Sequence, residues 1–210
     1  MSTKKVLTII LGETRSHELT WNNFKMNVLD ELDSDLALCV GESPTSDPFF
    51  ENAKYTWTYP EQPRTEDGWA DTFTKEVCGG CDDWKILTHL RDQLFGGLCK
   101  EHPGSAGILL FFRWFLREKL IENELVDKYD YFVVTRSDYY WDSPHPPLTD
   151  PDSILLPEGE SYGGLSDRHM AIPKKYILKV LDVCYRISVC PGKTFDAMRP
   201  HSAWNLEKVS

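Results

Sequence analysis

The sequence predicts an α/β protein with a mostly parallel central sheet flanked by helices, and three observations predict it. Residues 6 to 40 read as strand, helix and strand. Tyr131-Phe132-Val133-Val134-Thr135 is an uncharged, β-prone run without alternation, as expected of a strand covered on both faces. A helical segment leads into that run, and a second follows the last apolar strand.

Val6 to Leu11 is apolar and β-branched and is ended by Gly12, so Glu13-Thr14-Arg15-Ser16 is the loop at its carboxyl end. From Leu19 the apolar positions Trp21, Phe24, Val28 and Leu32 fall at helical spacing, and Asp33-Ser34-Asp35 closes the helix. Leu36 to Val40 is a second strand ended by Gly41, at the distance expected of a parallel crossover. Residues 42 to 68 hold Pro44, Pro48, Pro60 and Pro63 and read as a long loop with one extended piece, Lys54 to Thr58. Asp82-Asp83 is a cap for a helix with the stripe Trp84, Leu87, Leu90 and Leu94. A longer helix is predicted from about Ala106 to Val126, apolar nearly all round at its start.

After Trp141, Asp142 to Pro147 is a rigid turn, and Ile154 to Pro157 a short strand. Gly163-Gly164 then precedes Asp167, Arg168 and His169, three charged or titratable groups in front of the apolar strand Met170-Ala171-Ile172. Lys175 to Tyr185 is an amphipathic helix with Ile177, Val180, Leu181 and Cys184 inward. The reading is one domain over residues 1 to 210, and it leaves open a longer protein.

With 41% hydrophobic and 12% aromatic residues, 210 residues suffice for a packed core. Twenty-three Lys and Arg against 33 Asp and Glu give a net charge of -10, which argues against nucleic acid and anionic membrane as bulk partners. Neither a signal segment nor a membrane span is read in the sequence, and the expected location is a cytoplasm. Without an export signal, the six cysteines are expected as thiols. Cys78, Cys81, Cys99 and His102 match the spacing of a Cys3His zinc site, with an unmetallated Gly-Gly turn as the plainer alternative.

The chemistry-bearing stretch is Arg136-Ser137-Asp138 at the tip of the central strand. Ligands of open α/β sheets bind outside the carboxyl ends of such strands. Arg136 and Asp138 lie two positions apart on an extended chain and so point the same way, suited to a phosphate oxygen and a divalent metal. A surface ion pair is the alternative. If the first and central strands are neighbours, Arg15 becomes a candidate for a base or phosphate contact; otherwise it is a solvated loop residue.

The strand-helix-strand start, the Arg-x-Asp strand end followed by aromatics, and the later Gly-Gly-x-x-Asp element together resemble the GT-A-fold glycosyltransferases. The resemblance covers nearly the whole chain and is greatest to transferase domains encoded by large algal (chlorella) viruses, which decorate their capsid protein with glycans. It implies a Rossmann-like GT-A sheet, a UDP-sugar donor, a glycan or glycoprotein acceptor, and work in the host cytoplasm. The metal motif of that family is usually Asp-x-Asp; here its positions are Asp138 and Tyr140, so the second carboxylate is missing. By the resemblance, Asp138 holds Mn2+ or Mg2+ on the diphosphate, with His201 as the candidate to complete the metal shell. Gly12, Glu13, Thr14 and Arg15 line the nucleotide with Arg136, and Asp167 is the catalytic candidate, facing the donor sugar or the acceptor hydroxyl. Two rivals remain: a nucleotidyltransferase, disfavoured by the single glycine in Leu11-Gly12-Glu13-Thr14-Arg15, and a zinc-stapled interaction module built on Cys78, Cys81, Cys99 and His102.

Overall fold

The structure is a computed structural model, and it describes residues 4–42, 47–59, 69–84, 106–159, 166, 168–182 and 193. Its centre is a five-stranded sheet in the order β3-β2-β1-β4-β5. The strands are β1 Val6–Gly12, β2 Ser34–Gly41, β3 Tyr55–Tyr59, β4 Tyr131–Thr135 and β5 Met170–Pro173. β1 pairs in parallel with both β2 and β4, β2 pairs in parallel with β3, and β5 runs antiparallel to β4. This is the expected α/β architecture with a mostly parallel sheet. Ile154 to Pro157 contributes only an isolated antiparallel bridge, Leu155 to Ala171, in place of the predicted short strand.

Side chains alternate across the sheet, and both sets are buried. On one face Ile10, Leu36, Leu38 and Val40 pack with Phe24, Val28, Leu29 and Phe49, the last four supplied by helical segments. Farther along the same face, Val6, Tyr131, Val133 and Ala171 form a cluster with Leu148. On the other face Leu7, Ile9, Ala37, Cys39, Phe132, Val134 and Ile172 are equally buried. Burial on both faces explains why β1, β2 and β4 read as unbroken apolar runs.

The first helix departs from its expected form. α1, His17–Phe24, continues into a π-helical turn, Lys25–Asp30. A π turn inserts one residue into the helical register. Leu29 and Asn27 thereby join Val28 among the buried residues, while Leu19 stays 78% exposed. The proline-rich stretch also holds more order than expected: α2, Pro48–Asn52, begins with Asp47, whose Oδ1 accepts the Phe49 and Phe50 amides at 2.8 and 3.2 Å. That cap directs Phe49 into the core, where its ring lies 5.0 Å from Trp21 and 5.3 Å from Phe24.

The chain divides into two compact units. One holds the sheet and comprises residues 1–59, 118–157 and 167–178; the other comprises 60–117, 158–166 and 179–210. In the second unit, α3 (Trp69–Thr72) runs into a π-helical turn, Phe73–Val77. Trp69, Phe73 and Phe111 are buried there with Trp84, which lies in a short 3-10 turn over residues 82–84. The predicted Leu87, Leu90 and Leu94 stripe falls outside the described residues. α4 spans Ala106–Glu122, four residues shorter than predicted, and α5 spans Lys174–Leu181 with Ile177 and Leu181 fully buried as expected.

Candidate functional site

The strand order fixes where a ligand crevice lies. From β1 the chain moves outward through β2 to β3 and then returns to place β4 on the other side of β1. The order therefore reverses between β1 and β4, and the space outside the carboxyl ends of those two strands is the position open α/β sheets use for ligands. The sequence-predicted residues Gly12, Glu13, Thr14, Arg15, Arg136 and Asp138 all follow or end these two neighbouring strands.

Local bonds set their geometry. Gly12 ends β1 with φ of 111°, in the region open to glycine, and turns the chain into the loop. Ser137, 1% exposed, then joins the two loops: its Oγ accepts the Arg15 amide N–H at 2.8 Å and donates to the Glu13 carbonyl at 2.8 Å. Arg15 Nε donates to the Glu13 carboxylate. Arg136 Nε and Nη2 donate to the two oxygens of Asp138 at 2.8 and 2.6 Å. The two groups expected to face a common ligand thus face each other. The hydrogen bonds from Arg136 outweigh partial burial and hold the Asp138 carboxyl below the usual carboxylate range, and the Arg15 charge adds to this.

Behind these loops lies a second, buried set of bonds. Asn23 clamps Trp141, accepting its amide N–H at 2.7 Å and donating to its carbonyl at 2.9 Å. The His145 amide donates to the Asn27 carbonyl at 2.8 Å. His145 and His169 meet through their Nε2 atoms at 3.2 Å, and His145 Nδ1 lies 2.7 Å from the Pro146 carbonyl. A carbonyl only accepts, so Nδ1 of His145 carries the proton, its Nε2 accepts, and His169 Nε2 donates. That leaves His169 Nδ1 a bare acceptor, and it has no partner among the described residues. Burial pushes His169 down to about 3 and also lowers His145. Both rings pack on Trp141, at 4.9 and 5.7 Å.

The remaining expectations fall elsewhere. Asp167 and His201 lie outside the described residues, as do Cys99 and His102 of the zinc grouping. Among the described residues no group of three or more His, Cys, Asp or Glu is placed to hold a metal ion. Asp138 is one carboxylate with both oxygens engaged by Arg136, so these residues do not make a standing metal site. They do suit a divalent ion that arrives on a diphosphate, because such an ion needs only one or two protein carboxylates beside phosphate oxygens and water.

Sequence reasoning missed Ser137, Asn23 and the His145–His169 pair. Ser137 had a usable signal, since it stands between two singled-out residues at a buried strand end. Asn23 and His145 had none, because their roles depend on partners 118 and 24 residues away. No helix among the described residues is long and apolar enough to cross a membrane. In comparisons with protein-family models and with curated proteins, no match to the chain was found.

Proposed function

We propose that the edge between β1 and β4 binds the diphosphate of a UDP-sugar, and that the protein is a GT-A-like glycosyltransferase delivering the sugar to a glycan or glycoprotein acceptor. The observation that carries this reading is the convergence of Arg15, Arg136 and Asp138 at the reversal of strand order, on loops tied together by Ser137. A chain of net charge -10 repels a diphosphate as a whole, so its cations must be concentrated locally. Arg15 and Arg136 are each paired with a carboxylate two residues away, and a phosphate oxygen can take the place of that carboxylate at a guanidinium.

In this proposal Mn2+ or Mg2+ enters with the donor, and Asp138 is its protein carboxylate. The ion supplies neutralisation of the charge that builds on the departing diphosphate. Arg15 and Arg136 bind and orient the same oxygens. Asp167, two positions before His169 in sequence, is proposed to hold a donor hydroxyl or accept the acceptor proton, and His201 to add to the ion's ligands. The uracil base and a setting in viral capsid glycan synthesis are taken from the sequence resemblance alone.

Calorimetry with UDP, with and without Mn2+, tests the reading. Binding is expected with Mn2+ and little without it. Absence of UDP binding under both conditions would overturn the proposal.

A further inference from the structure

The sheet-bearing unit does not account for Cys78-Gly79-Gly80-Cys81, which follows the π-helical turn Phe73–Val77 in the other unit. The Cys81 amide donates to the Cys78 carbonyl at 3.1 Å, and Gly79 and Gly80 have φ of 61° and 85°. Two successive positive φ values inside such a four-residue bond are the signature of a type I′ turn, whose end Cα atoms lie within about 7 Å. Disulfides span Cα separations of about 4.4–6.8 Å. A Cβ on either glycine would meet nothing within 4 Å, so packing does not require glycine at these positions and the backbone conformation does. The turn is anchored at its start, where the Cys78 amide donates to the Phe73 carbonyl at 3.2 Å and the Gly80 amide to the Thr74 carbonyl at 2.8 Å. Its far end is held by the Thr74 hydroxyl, which donates to Asp82 at 3.2 Å and accepts Trp84 Nε1–H at 2.9 Å.

We propose that Cys78 and Cys81 are a modification site that closes to an intramolecular disulfide, with a low-molecular-weight disulfide as the oxidant. Cys81 is exposed and Cys78 half-buried, so Cys81 reacts first. Its thiolate attacks one sulfur of the small disulfide, forms a mixed disulfide and expels one thiolate. The Cys78 thiolate then attacks Cys81 Sγ and expels the second. Two protons from the cysteines end on the two released thiols, and two electrons pass to the small disulfide. The second step is intramolecular and is assisted by the turn, which already holds the chain ends together. Burial, then the neighbouring Cys81 and Asp82, push the Cys78 thiol up to about 11. A thiol of this kind reacts slowly near neutrality, and it is a poor leaving group once bonded, so the closed form resists reduction.

The test uses the whole chain, incubated with glutathione disulfide at mildly alkaline pH, alkylated with iodoacetamide and digested without reduction. The expected product is one peptide containing Cys78 and Cys81, unalkylated and lighter by two hydrogen atoms. Cys81→Ser should instead leave Cys78 alkylated or carrying glutathione. Gly79→Ala/Gly80→Ala, whose residues resist positive φ, should slow closure by about tenfold or more. Recovery of both wild-type cysteines alkylated, or linked to Cys99, Cys184 or Cys190, would overturn the proposal. So would an unchanged closure rate in the double-alanine variant, if its melting temperature shows that it folds.

Discussion

The two edges of the sheet carry the same kinds of side chain and use them differently. At the amino edge, charges are committed over long stretches of sequence. Lys4 Nζ donates to the Leu148 carbonyl at 2.6 Å, Asp130 accepts the Lys5 amide at 2.9 Å, and Asp35 accepts from Lys54 and from the Tyr129 hydroxyl. A groove of about 610 Å³ opens there, but the lysines along it are bonded to the Leu148 carbonyl or paired with Asp127 and Asp152. At the carboxyl edge between β1 and β4 the long-range bonds involve uncharged groups: Ser137 to the backbone of Glu13 and Arg15, and Asn23 to that of Trp141. The charged pairs resolved there are local, Arg15 with Glu13 and Arg136 with Asp138. Charges that hold distant segments together cannot be given up without loosening the fold, whereas a pair two residues apart can exchange its partner for a ligand. Stability and binding are thus assigned to opposite edges.

The largest expected effect that tests this division is on nucleotide affinity. Asp138→Asn should abolish the Mn2+-dependent part of UDP binding, a loss of about hundredfold or more, since the metal-borne diphosphate loses its one carboxylate. Asp35→Asn at the amino edge should lower the melting temperature and leave UDP affinity unchanged. Calorimetry and thermal unfolding on both variants decide the matter, and equal UDP affinity for wild type and Asp138→Asn in Mn2+ would break the comparison.

Asp167→Asn comes next. Loss of a positioned carboxylate should lower sugar transfer by about a hundredfold while leaving UDP binding intact. A destabilised variant with normal specific activity would instead assign Asp167 to the fold.

Ser137→Ala should then destabilise the chain by about 1–3 kcal/mol in denaturant melts, because the Arg15 amide and the Glu13 carbonyl lose a buried partner. It should also weaken UDP binding, since Arg15 and Arg136 are no longer held on joined loops. Loss of stability with full UDP affinity would show that the clasp serves the fold alone.

The smallest effect is one of acidity. His145 and His169 are kept neutral by burial, which outweighs the opposing pull of Glu31 on His145. Their folded values lie below the unfolded value near about 6.5. The unfolded chain therefore binds more protons in that window, and stability present above it is lost as pH falls. Melting temperature should decline between roughly pH 6.5 and 4.5, before most carboxylates protonate. His169→Asn should flatten that slope.

How much of this was legible in the sequence follows from the range of the interactions. β4 was read residue for residue, Tyr131 to Thr135, because burial on both faces leaves an unbroken apolar run as its local trace. The placement of Arg15 beside the Arg136 loop was conditional on β1 and β4 being neighbours, and the parallel pairing of Val6–Ile10 with Tyr131–Thr135 meets that condition. α2 was missed although Asp47-Pro48 is a helix-start signature; the surrounding prolines drew the reading toward a loop. The mutual bond of Arg136 and Asp138 was weighed only as an alternative, because an extended chain directs such residues side by side and the chain bends after Thr135. The Asn23 clamp leaves no local trace.

The π-helical turn Lys25–Asp30 has a consequence for insertions and deletions. Its extra residue lets Asn23 reach the Trp141 backbone while the Asn27 carbonyl receives His145. Removing one residue from this turn would restore ordinary helical winding and rotate everything beyond it by about 100° about the helix axis. Asn27 would then leave the 141–145 loop while Asn23 stayed behind. Chain length between residues 25 and 30 therefore sets the alignment of this edge, and substitutions there should be tolerated more readily than a deletion.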